Sequence, residues 1–175
     1  MKTDDHVMGS PDARVTLVQY GDYECPYSAR AYLVLQVVLG ELGDSLRYVF
    51  RNFPLETYPN ATNAAEAAES VAAHAGEPAF WMMHAMLFEN QDALDIDDLL
   101  GYAESAGGSI VQVASDLSTR AMRSRIDRDV RRGVEQGVTG TPAFLINGRK
   151  FDGDWADADA FTEALTAVAR EGALH

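Results

Sequence analysis

The chemistry this sequence can offer concentrates in Gly21-Asp22-Tyr23-Glu24-Cys25-Pro26-Tyr27-Ser28, which holds the one cysteine of the chain. A thiolate, and not the thiol, is the effective nucleophile, so the local structure must favour the anion if Cys25 is to react. Pro26 suits the first position of a helix, where its missing N–H costs nothing. Cys25 then stands at the helix start, with its sulfur facing unpaired amides and the positive end of the dipole. That environment favours a thiolate. Ser28, one turn further on, can donate a hydrogen bond to such an anion, but at neutral pH its hydroxyl cannot displace a thiolate from sulfur. The competing reading of a lone cysteine is an inert, buried, small apolar residue.

The flanking sequence supplies elements to hold this turn. Arg14 to Tyr20 is a β-branched, apolar run of strand length, and Ala29 to Leu42 is an apolar, helix-forming segment. Ser45 to Phe53 alternates apolar and polar residues and stops at Pro54, giving a second strand. The intervening length fits a crossover helix, so the two strands should be parallel neighbours in a right-handed βαβ unit. From Asn60 to about Gly137 the chain turns Ala-rich with helical spacing, broken at Gly76-Glu77-Pro78, Asn90-Gln91-Asp92 and Gly107-Gly108-Ser109, which predicts four or five short helices. Asn60 or Thr62 and Asp95 are candidate N-caps. Ala143 to Ile146, Asn147-Gly148 and Arg149-Lys150-Phe151 read as a β-hairpin with a type I′ turn. Asp157 to Arg170 closes the chain as a helix with Phe161, Leu165 and Val168 on one face.

The chain has 175 residues of 47% hydrophobic composition, which fits one domain with a sizeable core. Asp+Glu 27 against Lys+Arg 14 gives a net charge of -13, which argues against nucleic acid or an anionic membrane surface as partner. The segment Met1 to His6 is polar and acidic with no apolar h-region, so a soluble, cytoplasmic protein is expected, the alternative being an exported protein whose leader has been removed. A single cysteine rules out an internal disulfide framework and suits a reducing compartment.

The order βαβ, helical block, ββα, with Cys25-Pro26-Tyr27-Ser28 after the first strand, resembles the DsbA-like branch of the thioredoxin superfamily. The resemblance spans nearly the whole chain: Val15-Thr16-Leu17-Val18, Asp22 to Tyr27, Phe53-Pro54-Leu55, the Ala-rich helix leading to Phe80-Trp81 and Leu87-Phe88, and Gly137-Val138-Thr139-Gly140-Thr141-Pro142-Ala143-Phe144. It implies an α/β thioredoxin fold in a single domain, with residues from about 60 to 137 as a helical insertion. It also implies a cis Thr141–Pro142 bond facing the cysteine. Substrate would be held by Pro26, Tyr27, Thr141 and Pro142, the backbone of Thr141 pairing with an extended peptide and Pro142 packing beside the sulfur.

Three positions depart from that pattern. Ser28 stands where a dithiol enzyme carries its resolving thiol, so Cys25 would form mixed disulfides that only an external thiol can release. Gln19 stands six residues before Cys25, where relatives often carry a buried glutamate for proton transfer, and a neutral amide cannot take that proton. Tyr27 replaces a histidine found in some relatives. The resemblance therefore implies a monothiol thiol–disulfide oxidoreductase in which Cys25 and Ser28 carry the chemistry. It would act on a disulfide-containing protein or peptide, or on a low-molecular-weight mixed disulfide. No cofactor or metal is expected, and an external thiol such as glutathione would be co-substrate. The alternatives are a redox-inactive peptide-binding module and a thiol peroxidase passing through a sulfenic acid.

Other residues are read structurally. His6, His74, His84 and His175 have no ligand spacing with Cys25. Phe80 to Phe88 reads as a packed core helix in preference to a substrate groove. Arg120, Arg123, Arg125, Arg128, Arg131 and Arg132 read as a solvated helix paired with Asp127, Asp129 and other acids, in preference to a dock for an acidic ligand. Asp152, Asp154, Asp157 and Asp159 lack the calcium-loop pattern and read as helix caps.

Overall fold

A computed structural model describes residues 4–171. The central strand β2 (Val15–Gly21) runs into helix α1 (Pro26–Leu42) and returns as β3 (Leu46–Asn52), parallel to β2 with Val15 opposite Leu46 and Gly21 opposite Asn52. This is the βαβ unit that the sequence predicts. A short strand β1 (His6–Met8), which the sequence pattern does not announce, pairs antiparallel with β3.

Five helices follow, α2 (Ala61–Ala75), α3 (Glu77–Glu89), α4 (Ile96–Ser105), α5 (Ile110–Thr119) and α6 (Arg123–Glu135). The chain re-enters the sheet as β4 (Ala143–Ile146) beside β2 and β5 (Arg149–Phe151), and ends in α7 (Ala158–Glu171). The sheet order is β1-β3-β2-β4-β5. Asn147 and Gly148 both have positive φ, as a type I′ turn requires. Asp95 caps α4 in a reciprocal pair with Asp98. Asn60 precedes α2 but makes no side-chain cap; its amide is committed elsewhere, as described below.

Helices cover both faces of the sheet. Leu17, Tyr48, Phe50 and Phe144 belong to the main core with α1, α3 and α7, while Val18, Tyr20, Val49, Phe53 and Leu145 form a smaller core on the other face. On that second face α6 approaches closely at Gly133, where an added Cβ would lie 2.8 Å from Phe53. Residues of β2 are consequently buried on both sides, which explains its nearly continuous apolar run. Phe80, Met83, His84, Leu87 and Phe88 are buried in α3, which is the core helix expected of that stretch. Among the described residues no helix is long and apolar enough to cross a membrane.

The arginines of α6 are more deeply engaged than a solvated helix would be. Arg125 pairs with Asp129 and, at 3.5 Å, with Glu69; Arg128 holds Asp4 at 2.6 Å; Arg132 reaches Asp4 and Asp5 at 3.5 and 3.4 Å. Arg51 of β3 completes the grip on Asp5 at 2.9 Å. The acidic start of the chain is thus the ligand of this basic face. His6, next along, is buried between Glu69 (3.0 Å) and Glu77 (2.9 Å) and stacks on Phe80.

Candidate functional site

The site is built where β2 gives way to α1. Phe53 N–H donates to Gly21 O at 2.8 Å and ends the β2–β3 pairing. Asp22 then organises the turn: its carboxylate accepts from Glu24 N–H and Leu55 N–H, both at 2.8 Å, and its carbonyl accepts from Cys25 N–H at 3.2 Å. Burial pushes the Asp22 carboxyl up to about 6 against the pull of those amides, which favour the anion. Gln91, from the connection after α3, donates to Tyr23 O at 2.8 Å and Cys25 O at 2.9 Å and so fastens the turn to the helical block.

Cys25 is the N-cap of α1, in extended backbone geometry, and Pro26 is the first helical residue. The first bond of the helix runs from Ala29 N–H to Cys25 O at 3.1 Å. The Cys25 thiol donates to Thr141 O at 3.4 Å, so the arrangement is that of a protonated sulfur. Thr141 and Pro142 are joined by a cis peptide bond immediately before β4. Cys25 is only 1% exposed, whereas Tyr27 beside it is 63% exposed. Pro26 is also exposed and Thr141 and Pro142 are half-buried, so the four residues expected to meet substrate form a rim around a covered sulfur.

Ser28 lies under the turn, one helical turn after Cys25. Its side chain is wholly buried and its Oγ accepts from Asp22 N–H at 3.3 Å. Accepting this amide, which the end of β2 leaves without a strand partner, does not use the hydroxyl's own hydrogen, and the Cys25 thiol donates to Thr141 O. The carbonyl of Thr141 accepts from Cys25, and its N–H has no intramolecular partner among the described residues. Gln19 is buried and accepts from Tyr48 O–H through Oε1, while its Nε2 has no partner among the described residues.

Beside the cis bond lies a surface recess of about 370 Å³ lined by Thr139, Pro142, Phe144, Lys150, Phe151 and Trp155. The remaining candidates stand apart from the sulfur. His74 pairs with Asp116 at 2.9 Å, and His84 accepts from or donates to Tyr23 O–H at 3.0 Å inside the core; His175 lies outside the described residues. Asp154 and Asp157 accept from nearby backbone amides ahead of α7, and Asp152 pairs with Lys150 at 3.3 Å.

Sequence reasoning passed over Tyr58, whose phenol is held above its ordinary value by burial and by the neighbouring Cys25. Flanked by Pro54 and Pro59 in an irregular loop, Tyr58 belongs to no periodic pattern. The Asx turn at Asp22 was readable in principle, because Asp before a helix start accepts local amides.

The sequence profile of a family described as Thioredoxin matches residues 2–167. Among solved structures, oxidised BdbD from Bacillus subtilis superposes with a TM-score of 0.84 at 24% identity, covering 95% of this chain and 93% of that one. Wolbachia pipientis alpha-DsbA1 gives 0.84 at 17% identity, covering 99% and 95%. These likenesses show the fold. Among curated sequences, the Na(+)/H(+) antiporter NhaA 1 of Mycolicibacterium gilvum is 39% identical over 166 residues, 93% of this chain and 26% of the antiporter. NhaA 3 of Salinispora tropica is 41% identical over 165 residues, 94% of this chain and 24% of the antiporter. The chain spans about a quarter of the length of these curated relatives.

Proposed function

Since the chain belongs to the thioredoxin family, we propose that it is a DsbA-like thiol–disulfide oxidoreductase working through one cysteine. The observation that carries this reading is Cys25 at the start of α1, against the cis Thr141–Pro142 bond, with a serine one turn on. The Cys25 thiolate attacks a substrate disulfide, forms a new S–S bond and expels the other substrate sulfur as a thiolate that takes a proton from solvent. Ser28 cannot perform the second attack. An external thiolate such as glutathione attacks the mixed disulfide, forms its own S–S bond to the substrate sulfur and returns Cys25 as thiolate. The substrate is a disulfide-containing protein or peptide, or a small mixed disulfide, gripped by the exposed rim of Pro26 and Tyr27 and by the backbone at Thr141 and Pro142. A single cysteine suits a reducing compartment, where external thiol is abundant.

Turnover of a glutathionylated peptide by wild type and Cys25→Ser tests this. Complete loss in the variant is expected, and unchanged turnover would sink the reading. The burial of Cys25 favours one other reading, a peptide-binding module without redox chemistry. In that case Cys25→Ser would leave peptide affinity intact and Pro142→Ala would weaken it.

A further inference from the structure

One side chain from far along the sequence grips the backbone of the nucleophile itself. The Gln91 amide donates to Cys25 O at 2.9 Å and to Tyr23 O at 2.8 Å, and so bridges the two carbonyls on either side of Glu24. Glu24 in turn holds Asn60, ahead of α2, through its backbone N–H (2.6 Å) and its side-chain amide (3.0 Å). The other backbone bonds of Cys25 are local, its N–H to Asp22 O and its carbonyl from Ala29 N–H. Among the described residues Gln91 is thus the one partner of the Cys25 backbone from outside the turn and the first turn of α1. Gln91 is itself well seated: Asn90 Nδ2 beside it donates to Met86 O at 2.8 Å, and Tyr102 O–H donates to Ala93 O at 3.0 Å, which pins the connection to α3 and α4.

The direction of the Cys25 carbonyl matters to the sulfur. The ψ of 122° that makes Cys25 an N-cap is the rotation that points this carbonyl at Gln91 and Ala29. The same rotation sets where the first amides of α1 lie relative to the Cys25 side chain. Those amides have no side-chain cap while the sulfur keeps its proton and donates to Thr141 O. Once the proton leaves, that bond is lost, because a carbonyl can only accept, and the anion depends on the donors of the helix start. At 1% exposure the sulfur has little water to take their place.

We propose that Gln91 is a positioning residue of the exchange reaction: by gripping the Cys25 carbonyl it holds the start of α1 in the geometry that receives the Cys25 thiolate. This rests on the oxidoreductase reading above. In the release step an external thiolate attacks the substrate-side sulfur and forms the new S–S bond, and the electron pair of the broken bond leaves on Cys25. Gln91 touches neither sulfur and acts through the backbone.

The test follows alkylation of Cys25 by iodoacetamide against pH in wild type, Gln91→Met and Gln91→Glu. Methionine keeps the length of the side chain and removes both donors. The inflection of the profile, where half of Cys25 is thiolate, is expected to rise by about half to one pH unit in Gln91→Met, the scale of a helix-end dipole acting on a charge. Gln91→Glu, whose carboxylate cannot donate and adds a negative charge, is expected to rise further; two variants of the same length keep the test open if one fails to fold. Release of glutathione from the Cys25 mixed disulfide by 2-mercaptoethanol should slow about threefold in Gln91→Met, since a more basic thiolate leaves less readily. Gly133→Ala, which crowds α6 against Phe53 and leaves the Gln91 bonds alone, is the control for loosening in general, and its inflection should stay at the wild-type value. A shift in Gly133→Ala as large as that in Gln91→Met would overturn the proposal. Equal inflections in wild type and Gln91→Met would also overturn it, and with glutathione still released on added thiol the oxidoreductase reading would stand. A wild-type Cys25 that takes up no glutathione would overturn both.

Discussion

Replacing His6 by glutamine should cost stability at pH 6 and little near pH 10. His6 is buried at 5% exposure with Glu69 on one ring nitrogen and Glu77 on the other. Burial alone would discourage a charge there, but the hydrogen bonds and charges of the two glutamates outweigh it and raise the imidazole to about 9. The folded protein thus holds a proton that the unfolded chain releases around 6.5. The resulting stabilisation is fully present below pH 6.5 and is lost as pH rises through 9. At about 1.4 kcal/mol per pH unit over that gap, His6 contributes about 3 kcal/mol. Glutamine has similar reach and no charge, so it stands in for the neutral imidazole at every pH. Urea titrations of both proteins at pH 6, 7.5, 9 and 10 give the difference in stability directly, and groups that titrate in both cancel. The gap should close by about 3 kcal/mol across the series. A gap that stays constant with pH would show that His6 is not the buried cation and refute the reasoning.

Further outcomes follow from other residues. His84, buried among Tyr23, Phe50 and Phe88, is pushed down to about 3 by burial and by the charge on His6. Because the unfolded chain takes up the proton first, stability is lost as pH falls below 6.5, and urea titration should show His84→Leu narrowing its deficit against wild type by about 3 kcal/mol between pH 6.5 and 4. Gly133→Ala forces a methyl against Phe53 and Tyr20 and should cost about 1–3 kcal/mol in thermal or urea unfolding. Ser28→Cys places a second thiol one turn from Cys25; a thiol count after mild oxidation should fall by two, and mixed-disulfide release should become independent of added thiol.

Much of this architecture was readable because it rests on local signals. The β-branched run into Val15–Gly21, Pro26 at a helix start and Asn147-Gly148 between two short apolar segments each specify their element within a few residues. The parts that escaped depend on partners far along the chain. Strand β1 is three residues long and is fixed by pairing with β3, and His6 meets carboxylates 63 and 71 residues away. The basic face of α6 was legible as charge, but its partners Asp4 and Asp5 were not. At the site the sequence placed Cys25 and Pro26 correctly on the turn. It could not show that the Ser28 hydroxyl would serve the Asp22 amide, since that need arises only where β2 ends. Nor could it show that Asp22 and Glu24 would grip the loop carrying Tyr58, a contact spanning more than thirty residues.

The central claim is that Cys25 exchanges disulfides without an internal resolving thiol, and release of glutathione from the preformed Cys25 mixed disulfide tests it most directly. Followed by intact mass over a series of external thiol concentrations, the observed rate should rise in proportion to thiol and extrapolate to zero in its absence. A finite rate without added thiol, or a Cys25 that takes up no glutathione until the protein is unfolded, would contradict the account.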